Sequence, residues 1–287
     1  MMEIIRTIAE VRAAVGMARR SNRRVGLVPT MGALHEGHAS LIDAARCGCG
    51  FVVVSIFVNP TQFAPNEDLA RYPRDETGDA RLCEARGVDL VFAPTPATMY
   101  PPGAVTTVEV PGLSEVLCGR FRPGHFKGVA TVVAKLFNIV QPDAAYFGQK
   151  DAQQLAIIRR MAADLGFRVE IVGCPTVREA DGLALSSRNR YLSEDERGRA
   201  LCLHRALEAG CAMILAGQTD VQAVVARMRA IVETARPAGI DYIELVNPET
   251  LLPAADCRGP VLAALAVHIG QTRLIDNLLV DPRRPDQ

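Results

Sequence analysis

Short continuous apolar runs alternate with segments of helical periodicity through the first part of the chain. Strand-like runs fall at Val25–Val28, Phe51–Val58, Val88–Phe92, Ala144–Phe147 and Phe167–Val172. Helical patterns occupy His38–Arg46, Thr77–Arg86, Val129–Ile139 and Ala152–Leu165. A run such as FVVVSIFV is apolar at successive positions, as expected of a strand covered on both faces. Alternating β and α elements imply an α/β fold, a Rossmann-like parallel sheet with helices on both faces. Ligands on such sheets bind beyond the carboxyl ends of the strands. The polar motifs VPTMG, FVNPTQF and YFGQKD, and the segment after EIVGCPTV, each follow a strand and so share one edge of the sheet.

The texture changes after Val177. The stretch READGLALSSRNRYLSEDERGR is polar and reads as a mobile loop leading to a helix, with Ser193 and Glu196 spaced as a capping box. Amphipathic helices are predicted over Glu194–Ala216 and Asp220–Ala235, then strands at Asp241–Val246, Val261–Ile269 and Arg273–Leu279. Helices followed by strands suggest a smaller α+β domain. The expected division is 1–176 for a nucleotide- and substrate-binding domain, 177–281 for a smaller lid domain, and 282–287 for a frayed tail.

Composition narrows the function classes. In 287 residues, Lys+Arg and Asp+Glu balance at 32 each, so no bulk charge draws the chain to nucleic acid or anionic lipid. No apolar run approaches the roughly 18–20 residues that span a bilayer, and MMEIIRTIAE lacks the apolar core of a secretion signal. These features point to the cytoplasm. The 8 cysteines are scattered without a C-x-x-C pair, as expected of reduced core residues. His35, His38, Cys47 and Cys49 could be imagined around zinc, but a helix would hold the two pairs over a turn and a half apart or more.

The segment VGLVPTMGALHEGH, Val25 to His38, carries the most specific chemistry. A strand, a loop broken by Pro29 and Gly32, and a helix start make an anion site, because the first helical N–H groups lack partners. Two imidazoles beside it suit adenylyl transfer, in which charge builds up at phosphorus. The plainer reading is two histidines in a turn. Neither a G-x-x-x-x-G-K-[ST] loop nor a G-x-G-x-x-G after the first strand is present, which counts against P-loop ATPases and dinucleotide-binding dehydrogenases.

Other candidates follow the later strands. Lys150 can meet phosphate oxygens as a point charge. Asp151 is either a helix cap or a ribose ligand. Ser186–Asn189 offers two hydroxyls and a guanidinium in a polar loop able to close over a triphosphate, or else a solvated linker. Asn59, Thr61 and Gln62 follow the FVVVSIFV strand and, with Gln153 and Gln154, offer neutral amides that can orient a small hydroxy acid without neutralising its carboxylate; Gln153 fits a plain surface helix position better.

Together, VPTMGALHEGH, FVNPTQF with NEDLARYPR, GRFRPGHFKGVATVVAKLFNIVQPDAAYFGQKDAQQ and LSSRNRYLS resemble the pantothenate synthetase (pantoate–β-alanine ligase) family in identity, order and spacing. The resemblance extends through IDYIELVNPETL to the closing strands. That family belongs to the nucleotidylyltransferase-like superfamily, whose two signatures correspond here to His35–His38 and Ser186–Asn189.

The resemblance implies a two-step reaction. The carboxylate of pantoate attacks the α-phosphate of ATP, giving pantoyl adenylate and pyrophosphate; the amine of β-alanine then gives pantothenate and AMP. It implies that ATP lies along Met31, Gly32, Ala33, Leu34, His35, Glu36, Gly37 and His38, along Gly148, Gln149, Lys150 and Asp151, and along Val177, Leu185, Ser186, Ser187 and Arg188. Pantoate would lie on Gln62 and Gln154, with Gln62 also near β-alanine. His38 is the implied proton donor or charge stabiliser; His35, Lys150, Ser186, Ser187 and Arg188 are implied phosphate contacts.

Mg²⁺ on the triphosphate, no tightly bound organic cofactor and a homodimer are further implications. Asp79 is a possible outer-shell carboxylate, although some relatives carry a second acid where this chain has Gly78. The loop reads LSSRN where many relatives read MSSRN, a volume-conserving change. Competing readings are a nucleotidylyltransferase acting on a phosphorylated acceptor and a catalytically silent nucleotide sensor; a nucleic-acid-binding role fits poorly with so few aromatic residues.

Overall fold

The computed structural model describes residues 2–65 and 67–284. It divides into two compact units. The first contains the chain up to Ser114 with Arg122–Gln149 and Ile157–Thr176. The second contains the chain from Val177 onward with Glu115–Phe121 and Lys150–Ala156. The division expected from sequence was continuous; the compact units are not, because two short segments inside the first stretch cluster with the second.

The first unit is built on six strands: β1 (Glu3–Ile5), β2 (Val25–Thr30), β3 (Phe51–Ile56), β4 (Leu90–Phe92), β5 (Ala144–Gly148) and β6 (Glu170–Cys174). They form one sheet in the order β1-β4-β3-β2-β5-β6, and all neighbours run parallel. Helices α1 (Ile8–Arg20), α2 (Glu36–Gly48), α3 (Glu76–Ala85), α4 (Pro96–Met99), α5 (Cys118–Phe121), α6 (His125–Val140) and α7 (Ala152–Asp164) fall between the strands in sequence; α5 and the start of α7 belong to the second unit. Strand order reverses between β2 and β5, so the loop after β2 sits at a topological switch point, where α/β sheets bind ligands.

Two departures from the sequence reading have clear causes. Strand β2 continues through Pro29, which was read as a break. The carbonyl of Val25 accepts from Asp143 on the β5 side, and that of Thr30 from Phe57 on the β3 side. By alternation Pro29 shares the side of Val25, where the ladder with β5 already ends at Leu27. No donor is therefore missed. At the amino terminus, β1 and α1 stand outside the alternating pattern read from sequence. Three residues are too few to show a period. Helix α1 is held by the Thr7 cap and buries Val11, Ala14, Val15 and Ala18, the i, i+3, i+4, i+7 spacing of an amphipathic helix.

The second unit continues with α8 (Glu194–Ala200), α9 (Cys202–Leu215) and α10 (Val221–Thr234), followed by β7 (Gly239–Val246), β8 (Val261–Ile269) and β9 (Thr272–Val280). The strands form an antiparallel sheet in that order. The helix expected over 194–216 parts at Leu201 into α8 and α9. Leu203, Leu207 and Ile214 from α9 and Val224, Met228 and Val232 from α10 form one core with inward residues of the sheet. The expected frayed tail begins with a turn, in which the Asp281 carboxylate accepts from the Arg283 backbone and side chain; residues 285–287 lie outside the described residues. Among the described residues, no helix is long and apolar enough to cross a membrane.

Leu207 has no solvent exposure in this core. Leu207→Ala should cost about 2–5 kcal/mol, read as a lower urea midpoint at unchanged slope; a loss below about 1 kcal/mol would contradict the tight packing assigned to it.

Candidate active site

The site begins where β2 ends. Gly32 and Ala33 both adopt positive φ, +80° and +50°, the second unusual for a residue with a β-carbon. A β-carbon on Gly32 would lie 2.9 Å from an Asp79 carboxylate oxygen and 3.0 Å from Ile56, so glycine is required. Asp79, on α3, is 3% exposed. One of its oxygens accepts from the Ala33 N–H at 2.9 Å and the other from the Leu34 N–H at 2.7 Å. Charge-assisted bonds to two successive backbone donors fix the bend. Burial, with the added charge of Asp79, pushes the neighbouring Cys83 thiol up to about 12.

Helix α2 starts directly after this bend. Its cap is His35, a residue type outside the usual Ser, Thr, Asp and Asn. His35 Nδ1 accepts from the Gly37 N–H at 3.1 Å, and His38 Nδ1 accepts from the His35 N–H at 3.3 Å, a reciprocal capping box. The rings lie 4.1 Å apart, tilted by 39°. Because each Nδ1 is an acceptor, each neutral ring carries its proton on Nε2. Glu36 in the first turn and Arg46 in the last complement the helix dipole.

Gln62 follows β3 in a short 3₁₀ turn, Pro60–Gln62. Its Nε2 lies 2.9 Å from Met31 Sδ, and its Oε1 accepts from Asn59 Nδ2 at 3.1 Å. Asn59, 1% exposed, is the hub of this turn: it also donates to the Gly128 carbonyl and accepts from Tyr100 Oη, Thr61 N and Thr61 Oγ1. A β-carbon on Gly128 would lie 2.4 Å from the Thr61 carbonyl, so this glycine of α6 admits the turn.

A second set of residues holds the Gln62 backbone and was given no role from sequence, although GRFRPGHFKG is conspicuously polar before an apolar helix. His125 Nδ1 lies 2.8 Å from the Gln62 carbonyl, Arg122 donates to the same oxygen, and Arg122 is paired with Glu67 at 2.5 Å. Burial raises the Glu67 carboxyl, but the hydrogen bond and charge of Arg122 outweigh it and leave it below its ordinary pKa.

The remaining candidates belong to the second unit, apart from Gly148 and Gln149, which end β5 and open the turn into α7. Lys150 is half-buried and Asp151 exposed in that turn; Gln154 is half-buried on α7. Gln153 is 6% exposed and serves its own chain: it accepts from Cys118 N and donates to the Val116 carbonyl.

The first part of the stretch read as a mobile loop, 177–185, folds as a hydrogen-bonded hairpin. Leu185 N donates to the Val177 carbonyl, Glu179 and Leu183 are joined, and Arg178 pairs with Ala184. Ser186 caps a 3₁₀ turn, Ser187–Tyr191, by accepting from Arg188 N. Ser187 is buried, and Arg188 half-buried.

A parallel α/β sheet carrying an imidazole pair at a helix start beside its switch point is an arrangement suited to holding a phosphorylated ligand. The comparisons place it more narrowly. The family described as Pantoate-beta-alanine ligase matches residues 3–279, and the chain belongs to that family. It is 56% identical over 280 residues to a pantothenate synthetase of Moorella thermoacetica, covering 98% of this chain and 99% of the relative. A crystal structure of pantothenate synthetase from Thermus thermophilus superposes with a TM-score of 0.92 at 50% identity, over 96% of this chain and 99% of that one. A pantoate-beta-alanine ligase from Francisella tularensis, solved with beta-gamma ATP and beta-alanine, matches at a TM-score of 0.81 and 34% identity, over 98% of this chain and 100% of that one.

Both Asp79 oxygens hold the loop, a structural role that stands beside the outer-shell metal place implied for it, since each oxygen has a second lone pair. Asp79→Asn replaces one acceptor by an amide group facing a backbone donor. It should lower stability by about 1–3 kcal/mol and reduce adenylate formation, with no recovery on raising Mg²⁺. Full recovery by excess Mg²⁺ at unchanged stability would assign Asp79 to the metal alone.

Proposed function

We propose that the imidazole pair at the start of α2 stabilises the α-phosphoryl group of ATP while pantoate is adenylated. The chain is an enzyme that condenses pantoate with β-alanine, with cleavage of ATP to AMP and pyrophosphate through pantoyl adenylate. The observation that carries the site assignment is that both Nδ1 atoms are held by backbone N–H groups, so both rings offer Nε2–H as donors beside a helix N-terminus. In the first step a pantoate carboxylate oxygen bonds to the α-phosphorus, and the bond to the bridging oxygen of pyrophosphate breaks. Extra negative charge develops on the α-phosphoryl oxygens. Fixed donors favour that transition state over the ground state. In the second step the β-alanine nitrogen bonds to the acyl carbon, AMP leaves with the carboxylate oxygen, and the amine loses a proton.

Each unit has its own share in this reading. In the first, His38 is the main charge stabiliser or proton donor, His35 supports it, the Met31–His38 backbone carries the nucleotide with Gly148 and Gln149, and Gln62 orients pantoate and lies near β-alanine. In the second, Lys150, Ser186, Ser187 and Arg188 contact phosphate oxygens, Asp151, Val177 and Leu185 line the nucleotide, and Gln154 holds pantoate. The amides orient pantoate without an Arg clamp that would quench the attacking carboxylate. Mg²⁺ enters with ATP as part of the substrate, a hard cation best served by phosphate oxygens and water. A homodimer and a cytoplasmic setting complete the proposal; the 8 cysteines, free and mostly buried, suit a reducing compartment.

Isotope exchange between pyrophosphate and ATP tests the order of steps. Exchange should occur with pantoate present and β-alanine omitted, and vanish without pantoate; exchange that requires β-alanine would contradict an adenylate intermediate. His38→Ala should cut the exchange rate by about 10²–10³-fold with a modest loss of stability, about 0.5–2 kcal/mol for the lost cap bond, and near-normal exchange would remove His38 from the chemistry. Gln62→Ala should raise the KM for pantoate far more than that for ATP, and equal changes in both would contradict its place.

A further inference from the structure

Two adjacent residues of β9 fasten the two segments of the second unit that the proposed reading assigns to ATP. Successive strand residues project to opposite faces of a sheet, so neighbours on one strand can hold different segments. Asp276 is 3% exposed. Its two carboxylate oxygens accept from both terminal nitrogens of Arg178, at 2.6 and 2.9 Å, the fork geometry that fixes a guanidinium in plane. Arg178 also donates to the Gly182 carbonyl at 3.1 Å. It thereby closes the Val177–Leu185 hairpin that delivers Ser186, Ser187 and Arg188. Asn277, 8% exposed, donates from Nδ2 to the Lys150 backbone carbonyl at 2.7 Å. Its own N–H donates to Asp276 Oδ1 at 2.8 Å. The register of β9 against β8 is unbroken here, with Asp276 opposite Leu265 and Asn277 opposite Ala264, so the ladder holds both in place.

An isolated buried ion pair is weak grounds for stability, because desolvation offsets the attraction. A chain of bonds from a hairpin, through one strand position and its neighbour, to the carbonyl of a phosphate-binding lysine has a different use. It sets the positions of two mobile-type side chains, Lys150 and Arg188, from one rigid element. We propose that Asn277 and Asp276 are positioning residues for the nucleotide: Asn277 sets the Lys150 backbone, and Asp276, through Arg178, sets the Ser186–Arg188 turn. This rests on the reading of Lys150 and Arg188 as phosphate contacts. It requires Asn277 to act through Lys150 without touching substrate.

The test is a double-mutant cycle read by pyrophosphate–ATP exchange in the full-length enzyme. Lys150→Ala, Asn277→Ala and the double variant are compared for KM for ATP, with Asn277→Asp as a second substitution that places an acceptor against the Lys150 carbonyl. Asn277→Ala and Asn277→Asp should each raise the KM for ATP by about tenfold or more. The KM for β-alanine, read from overall pantothenate formation, should stay near its original value, and the melting temperature should fall by no more than a few degrees. On the Lys150→Ala background, Asn277→Ala should add almost nothing, because the residue it positions is gone. If Lys150→Ala raises the KM for ATP while both Asn277 variants leave it unchanged, or if the two effects simply multiply, the positioning role is overturned and the reading of Lys150 stands. If Lys150→Ala itself leaves the KM for ATP unchanged, the reading of Lys150 falls and the positioning role falls with it.

Discussion

One buried carboxylate shapes the loop that carries the imidazole pair of the first unit. Asp79 accepts from two successive backbone N–H groups, those of Ala33 and Leu34. Without that anchor the loop would have to hold Ala33 at positive φ unaided, a conformation that costs an L-residue roughly 1–2 kcal/mol. The bend in turn decides where α2 begins. A one-residue change in the start of α2 would place His35 and His38 differently around its axis, since successive helix positions turn by about a quarter of a circle or more. The position of two imidazoles at the end of β2 is thus decided by a side chain on another helix.

The proposed chemistry follows from how those rings are held. Each Nδ1 accepts a backbone N–H at the helix start, so the helix uses its histidines as caps and the histidines use the helix to fix their tautomers. Donors held in place before the reaction need no reorganisation when charge arrives, which is what makes them more effective than water. The neighbouring first-turn N–H groups add the positive end of the helix dipole. Gln62 is built in the same manner. Its backbone is held by His125 and Arg122 and its side chain by Asn59, so a flexible amide is kept to one orientation.

Much of the architecture could be read from local pattern. The runs at Val25, Phe51, Val88, Ala144 and Phe167 gave five of the six parallel strands in chain order, and the change of texture after Val177 marked the α+β unit. What escaped was non-local. Strand β1 is three residues that acquire meaning only against β4. Pro29 looked like a break, and only the register of β5 shows why it is tolerated. The roles of Asp79, Asn59 and Gly128 each depend on a partner tens of residues away, and no spacing rule reports such a pair. Gln153 and the Val177–Arg188 segment mark the other limit. Gln153 reads from sequence as a surface helix residue or a ligand amide and the segment after Val177 as a loose loop, whereas Gln153 is a buried amide bonded to its own chain and 177–185 is a hydrogen-bonded hairpin.

The tautomers of His35 and His38 are the most direct measure of this arrangement. With ¹⁵N-labelled histidine, the ring nitrogens of the free enzyme above neutral pH should report a proton on Nε2 and a bare, hydrogen-bonded Nδ1 for both residues, assigned by comparison with His35→Ala and His38→Ala. Rings that carry the proton on Nδ1 could not accept the backbone bonds that form the cap, and that result would contradict the proposed donors at their source.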